Sequence, residues 1–69
     1  MELKDFQKRV VSEQYDLDEK INSLQEFIET SEQFSDLSLY ERRDLAQQLR
    51  FMKKYSNTLS NRINRFNFE

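Results

Sequence analysis

Residues 45–66 read LAQQLRFMKKYSNTLSNRINRF, and a large apolar side chain returns at every seventh position of this stretch. The positions are Leu45, Met52, Leu59 and Phe66. Because seven residues make two turns of α-helix, these side chains share one side of a helix. The stretch therefore predicts a long amphipathic helix.

The same spacing occurs in the first half of the chain, in mirror order. Its positions are Leu3, Val10, Leu17 and Leu24. The two ladders are reflected about Phe34 and Ser35, as two antiparallel helices joined by a short connection require. We therefore predict an all-α fold, an antiparallel two-helix hairpin that self-associates into a helical bundle.

The predicted hairpin forms a single domain over residues 1–69. Helix 1 is expected from about residue 3 to 31, the connection from about 32 to 38, and helix 2 from about 39 to 66. Ser38 and Glu41 have the spacing of a capping box, which marks the start of helix 2.

Apolar side chains are expected to fill the seam between the helices and to close both of its ends. At one end Phe34 and Leu37 should cover the opening, and at the other Phe66 and Phe68 should return to the N-terminal residues. The predicted core consists of Leu3, Phe6, Val10, Leu17, Ile21, Leu24, Ile28, Leu45, Leu49, Met52, Leu59, Ile63 and Phe66.

The composition suits continuous helix but offers no cross-link. Charged residues make up 35% of the 69 residues, and glycine, proline, cysteine and histidine are all missing. A core of fewer than about 70 residues seldom supplies more than about 3 to 5 kcal/mol, and here neither a disulfide nor a structural zinc can add to it. We therefore expect a homo-oligomer, whose subunit number the sequence leaves open.

Charge is divided unevenly between the two halves. Residues 1–38 hold ten acids and four bases, whereas residues 39–69 hold three acids and seven bases. This asymmetry favours pairing of an acidic helix with a basic one. Exposed ion pairs are each worth only about 0.2 to 1 kcal/mol, so they select the partner more than they stabilise it.

Several function classes are excluded or disfavoured. Without histidine or cysteine the chain lacks the usual catalytic base and nucleophile, so we expect no enzyme, no catalytic residue and no cofactor. Without glycine it can form neither a P-loop nor a Rossmann turn. A net charge of −2 disfavours duplex nucleic acid.

Metal and membrane binding are also not expected. The densest acidic cluster is Glu13, Asp16, Asp18 and Glu19, but a carboxylate site needs ligands that converge from several helices. No apolar run has the length of a membrane span, and the first residues lack the apolar core of a signal peptide. We expect a cytoplasmic protein.

Helix 2 carries a basic stripe and an aromatic flank. The stripe, opposite the apolar seam, includes Arg50 and Lys54; it fits either a solvated outer face or an anion-binding surface. The flank carries Phe51 and Tyr55, for which packing between neighbouring hairpins is the simpler interpretation. The predicted oligomer-interface residues are Val11, Tyr15, Phe51 and Tyr55.

The chain resembles a family of small bacteriophage accessory proteins. The matching residues are Phe6 to Val10, Leu17 to Ile21, Leu24 to Ile28, Phe34, Leu37, Glu41, Gln48, Met52, Tyr55, Leu59, Arg62 and Ile63. Most members of the family have no assigned activity, so the resemblance implies origin and fold more than mechanism. The matching residues that the apolar seam does not require are Arg9, Gln48, Tyr55 and Arg62.

Three functions remain open. Small phage products often act on host defence, which favours a protein that sequesters a phosphate-bearing immune signal, of cyclic nucleotide or ADP-ribose type, between its subunits. An inhibitor that presents a helical face to a host protein and a purely structural or regulatory hairpin are the alternatives. For the first function the candidate ligand-binding residues are Arg9, Arg50, Lys54, Tyr55 and Arg62.

Overall fold

The computed structural model describes residues 2–66, and this part of the chain is all-helical. Helix α1 spans Asp5–Thr30, α2 spans Glu32–Asp36 and α3 spans Leu39–Phe66. The all-α class is confirmed. The two-helix description is corrected to three helices, because the predicted connection contains α2.

The break between α1 and α2 lies at Ser31. Its backbone is extended, with φ −84° and ψ 130°, which ends α1 without glycine. Its hydroxyl then accepts a hydrogen bond from the backbone N–H of Gln33 at 3.2 Å, which caps α2. One serine therefore both ends a helix and starts the next.

The start of α3 follows the predicted capping box in part. The Ser38 hydroxyl accepts from the backbone N–H of Glu41 at 3.1 Å, which confirms the serine half of the box. No hydrogen bond within residues 2–66 engages the Glu41 carboxylate. At the start of α1 the backbone N–H of Lys4 donates to the side-chain oxygen of Gln7 at 2.8 Å.

Helices α1 and α3 run side by side in opposite directions. The rings of Phe6 and Phe66 meet edge to face with centroids 6.4 Å apart, and the Ser56 hydroxyl donates to Asp18 at 2.5 Å. Residues near position 20 are therefore level with residues near position 52. The molecule is a rod with extents of 49 × 15 × 15 Å.

The interior of this rod is thin, because two helices can shield only one narrow stripe from water. Among residues 2–66, the buried apolar residues are Val10, Ile21 and Leu59, and the Leu59 side chain is fully buried. Half-buried are the predicted core residues Leu3, Leu17, Leu24, Ile28, Leu45, Leu49, Met52, Ile63 and Phe66. The prediction that Phe6 is a core residue is wrong, since its side chain is 53% exposed at the edge of the helix pair.

Aromatic contacts close both ends of the rod. Phe34 of α2 packs edge to face on Phe27, with ring centroids 6.0 Å apart. Leu37, three residues after Phe34, is half-buried. At the other end Phe66 meets Phe6, while Phe68 lies outside the described residues. Within the described chain, every helix is too short or too polar to cross a lipid bilayer.

Candidate ligand-binding grooves

A groove of about 460 Å³ lies between α1 and α3 near the middle of the rod. Its lining residues are Arg9, Ser12, Glu13, Asp16, Leu17, Lys20 and Tyr55. We name it the Tyr55 groove, and the side of the rod on which it opens the Tyr55 face. Two predicted ligand-binding residues, Arg9 and Tyr55, therefore share one groove although they lie far apart in sequence.

The Tyr55 groove combines three kinds of chemistry. Arg9 offers guanidinium donors that suit a phosphate, and the ring of Tyr55, 46% exposed, offers a surface on which a base can stack. The carboxylates of Glu13 and Asp16 can accept hydrogen bonds from hydroxyl groups. This combination fits a phosphorylated molecule that also carries a ring and hydroxyl groups.

Arg62 belongs to the same face. It follows Tyr55 by seven residues, so it lies on the same side of α3, about 10 Å along the helix. Because Phe6 is level with Phe66, Arg62 is also nearly level with Arg9. The Tyr55 face thus holds two guanidinium groups, those of Arg9 and Arg62, which lie on the same side of Tyr55 along the rod axis.

The other two predicted ligand-binding residues lie elsewhere. Arg50 and Lys54 line a groove of about 490 Å³ on α3, which we name the basic groove. Its remaining lining residues are Ala46, Leu49, Lys53 and Asn57. Since all six residues come from one helix, one chain alone does not bring Arg50 and Lys54 to Arg9 and Tyr55.

A third groove lies along α1 and carries acidic side chains. It measures about 620 Å³ and is lined by Asp16, Glu19, Lys20, Ser23 and Leu24. We name it the acidic groove; it adjoins the Tyr55 groove, with which it shares two residues. Residues 2–66 contain no group of three or more His, Cys, Asp or Glu side chains arranged to hold a metal ion.

The four predicted interface residues are all solvent-exposed. Tyr15 is 65% exposed, Phe51 55%, Tyr55 46% and Val11 39%. Their exposure in a single chain leaves them available for a partner, and whether copies of the chain cover them stays a prediction.

Sequence reasoning missed a polar cluster at the α1–α3 contact. The Gln14 side-chain amide donates to the Ser56 carbonyl oxygen at 3.0 Å and to the Ser60 hydroxyl, and Ser56 in turn donates to Asp18. We name the side of the rod marked by these bonds the Gln14 face. Buried Gln7, 4% exposed, lies two turns before Gln14 on α1.

A signal for this cluster is present in the sequence. A second pair of seven-residue ladders runs through Gln7, Gln14, Ile21 and Ile28, and through Arg42, Leu49, Ser56 and Ile63. These ladders are also mirror images, so glutamine and serine occupy inward positions at the same level. A search restricted to apolar side chains does not detect them.

The comparison with protein families bears on all of these surfaces. A family model described as Sequestin matches residues 4–65. The chain belongs to the Sequestin family. No curated protein and no solved structure matches the chain significantly.

The Sequestin match spans α1, α2 and all of α3 except its last residue. It therefore includes the Tyr55 groove, the basic groove, the acidic groove and the Gln14 cluster. The family assignment applies to the whole helical unit and not to one of its helices.

Proposed function

We propose that this Sequestin-family chain is a binding protein that sequesters a small phosphate-bearing signal between its subunits. The observation that carries the proposal is the Tyr55 groove, in which Arg9 from α1 and Tyr55 from α3 face one space. The family name is compatible with a sequestering role and favours binding over catalysis. The ligand class is a cyclic nucleotide or an ADP-ribose derivative, since both join phosphate, ribose hydroxyls and a stacking base.

We place the ligand site between subunits because the predicted ligand-binding residues fall into two separate grooves of one chain. Arg50 and Lys54 lie in the basic groove, away from Arg9 and Tyr55. A second copy of the chain can bring the two sets together, and it would also exclude water from the charged contacts, which strengthens them. In this proposal the unit is an antiparallel hairpin and the active form is a homo-oligomeric helical bundle.

The biological setting is part of the same proposal. The resemblance to small bacteriophage accessory proteins supports a phage protein that acts in the host bacterial cytoplasm. A protein that holds an immune signal lowers its free concentration without chemistry, so it needs stoichiometric amounts and tight binding rather than a catalytic residue. Small nucleotides would bind without a glycine loop, through arginine, lysine and aromatic side chains.

The test is a thermal-shift and calorimetric titration of the oligomer with cyclic dinucleotides, cyclic trinucleotides and ADP-ribose. A ligand at 100 times its dissociation constant stabilises the folded protein by about 2.7 kcal/mol. For a domain of this size that corresponds to an increase in melting temperature on the order of 10 °C. A selective increase with one ligand class supports the proposal.

Matched variants locate the site. Tyr55→Ala and Arg62→Ala should each lower ligand affinity at least tenfold while the oligomer mass is unchanged. Tyr40→Ala is the control, because Tyr40 is also a tyrosine of α3, is 77% exposed and lies outside the three grooves. Equal affinity in the Tyr55 and Tyr40 variants would refute the assigned site, and a flat screen would refute the ligand class.

A second candidate is an inhibitor that binds a host protein. It is favoured by Leu39 and Tyr40, which are 51% and 77% exposed at the start of α3 and line none of the three grooves. An inhibitor of this kind would retain one host protein on an affinity column in a Tyr40-dependent manner, and would show no nucleotide-induced thermal shift.

A further inference from the structure

The basic groove and the acidic groove lie on opposite faces of the rod. On α3 the basic groove contains Lys53, three residues before Ser56, so it opens on the Gln14 face. The acidic groove shares Asp16 and Lys20 with the Tyr55 groove, so it opens on the Tyr55 face. A single chain therefore cannot bring these two grooves into contact.

The two grooves are nevertheless at the same height along the rod. The acidic groove is formed by residues 16–24 and the basic groove by residues 46–57. Because Asp18 is level with Ser56 and Phe6 with Phe66, the midpoints of the two grooves are level. Two parallel rods placed side by side would bring one groove against the other without sliding along the long axis.

The two grooves carry net charges of opposite sign. The basic groove is lined by three bases and no acid, and the acidic groove by two acids, Asp16 and Glu19, and one base, Lys20. Helix α1 has seven acids and three bases, whereas α3 has two acids and seven bases. Among residues 2–66, no hydrogen bond or ion pair occupies the side chains of Arg50, Lys53 or Lys54. The same holds in this region for the carboxylates of Asp16 and Glu19.

Each groove also offers an apolar floor. Leu49 lies half-buried in the basic groove and Leu24 half-buried in the acidic groove. Burying apolar area at these positions would add to a core that has only three buried apolar residues in the described chain. Charge complementarity would select the partner, and apolar burial would stabilise the contact.

We infer that the basic groove of one copy of this chain binds the acidic groove of the next copy, in a head-to-tail contact between parallel rods. Such a contact is heterologous, since each copy uses two different surfaces. A two-fold symmetric contact through either of these faces would place like charges against each other, basic groove on basic groove or acidic on acidic. The inference deepens the proposed function, because it specifies which surfaces of neighbouring subunits adjoin the ligand site.

Aromatic exposure is consistent with this mode of association. Phe51 lies one turn before Tyr55 on α3, so both are exposed on the Tyr55 face. Val11 and Tyr15 are three residues before and one residue after Gln14 on α1, so they are exposed on the side of the Gln14 face. A contact that joins opposite faces covers both sets, whereas a symmetric contact through one face leaves the other set in water. Repetition of the contact closes into a ring if the rotation between copies closes, and otherwise continues as a filament.

Paired charge reversals test the contact by analytical ultracentrifugation without any nucleotide. One variant carries Arg50→Glu and Lys54→Glu, and the other carries Asp16→Lys and Glu19→Lys. Each variant alone should sediment as a monomer, because its altered groove repels the partner groove. An equimolar mixture should re-associate with the two variants alternating, since the reversed basic groove now matches the reversed acidic groove and the two unaltered grooves match each other. The mixture regains the wild-type mass where the wild-type subunit number is even.

Controls separate a lost contact from a lost fold. Glu26→Lys with Glu29→Lys makes the same charge change on α1 outside the grooves and should keep the wild-type mass. Far-ultraviolet circular dichroism reports the helicity of each variant. Arg50→Gln with Lys54→Gln replaces the basic-groove reversal if that variant does not fold, and Asp16→Asn with Glu19→Gln replaces the acidic-groove reversal. The wild-type mass should fall as NaCl rises from about 0.05 M to about 0.5 M, because salt screens the charges.

Three results would overturn the inference: a monomeric wild-type protein, reversed variants that keep the wild-type mass, or folded variants whose mixture stays monomeric. None of these results depends on ligand binding. A parallel nucleotide titration of the wild-type protein therefore shows independently whether the proposed function itself fails.

Discussion

Replacing Leu59 by alanine should remove much of the stability of the folded chain. Leu59 is 0% exposed and is the fully buried side chain of the described residues. Leucine-to-alanine changes at buried sites cost about 2 to 5 kcal/mol, with the loss growing with the cavity that remains. Here two helices form the whole wall of the cavity and can move together, so we expect a loss of about 2 to 3 kcal/mol.

This loss is large for so small a protein. A core of this size supplies about 3 to 5 kcal/mol, so the variant should retain only a small part of the folding free energy. A loss of about 3 kcal/mol changes the ratio of folded to unfolded chain roughly 100-fold. Urea unfolding followed by circular dichroism measures the loss, at several protein concentrations because self-association would add stability.

Leu39→Ala is the matched control for this measurement. It makes the same chemical change in the same helix, but Leu39 is 51% exposed at the first residue of α3. Its unfolding free energy should stay within about 0.5 kcal/mol of wild type, as expected for surface substitutions. Equal losses in the Leu59 and Leu39 variants would refute the assignment of the core to the mirrored seam.

Three further changes test local features of the fold. Gln14→Ala removes the amide that donates to two serines of α3, and it should lower the unfolding free energy by about 1 to 2 kcal/mol in urea titrations. Ser38→Ala removes the acceptor for the Glu41 N–H and should cost about 1 kcal/mol, whereas Ser38→Asp should restore most of it in the same assay. Phe6→Ala removes the edge-to-face contact with Phe66 and should lower the melting temperature less than a core truncation does, because Phe6 is largely exposed. No change in the Gln14 and Ser38 variants would mean that these hydrogen bonds do not form in solution.

The ends of the helices show how far local sequence signals reach. The serine cap at residue 38 could be recognised from sequence, because a side chain that accepts from an N–H three residues later depends on residues that adjoin it. The end of helix 1 was expected near residue 31, but the short helix α2 that follows it was not predicted. The signal for α2, a serine hydroxyl at residue 31 that accepts from the backbone N–H two residues later, occurs in an acidic and polar segment that an irregular connection also fits.

The candidate site shows the corresponding limit for function. Arg9, Tyr55 and Arg62 were singled out from sequence. The structure brings Arg9 and Tyr55 into one groove, and the seven-residue spacing puts Arg62 on the same side of α3 as Tyr55. The same list of candidates included Arg50 and Lys54, although the helical spacing of α3 places them on the basic stripe and Tyr55 on the aromatic flank. Only the position of α1 shows that Arg9 shares a groove with Tyr55 and not with Arg50 and Lys54.

The sequence by itself determined the helical class and the antiparallel order of the seven-residue ladders, because the periodicity of apolar side chains is a local property of each helix. The tertiary structure decided which residues the pairing covers. It left Phe6 at an exposed edge, placed Gln14 against the serines of α3, and brought Arg9 of α1 into one groove with Tyr55 of α3. These outcomes depend on how α1 is rotated against α3, and that rotation is set by the packing of both helices together.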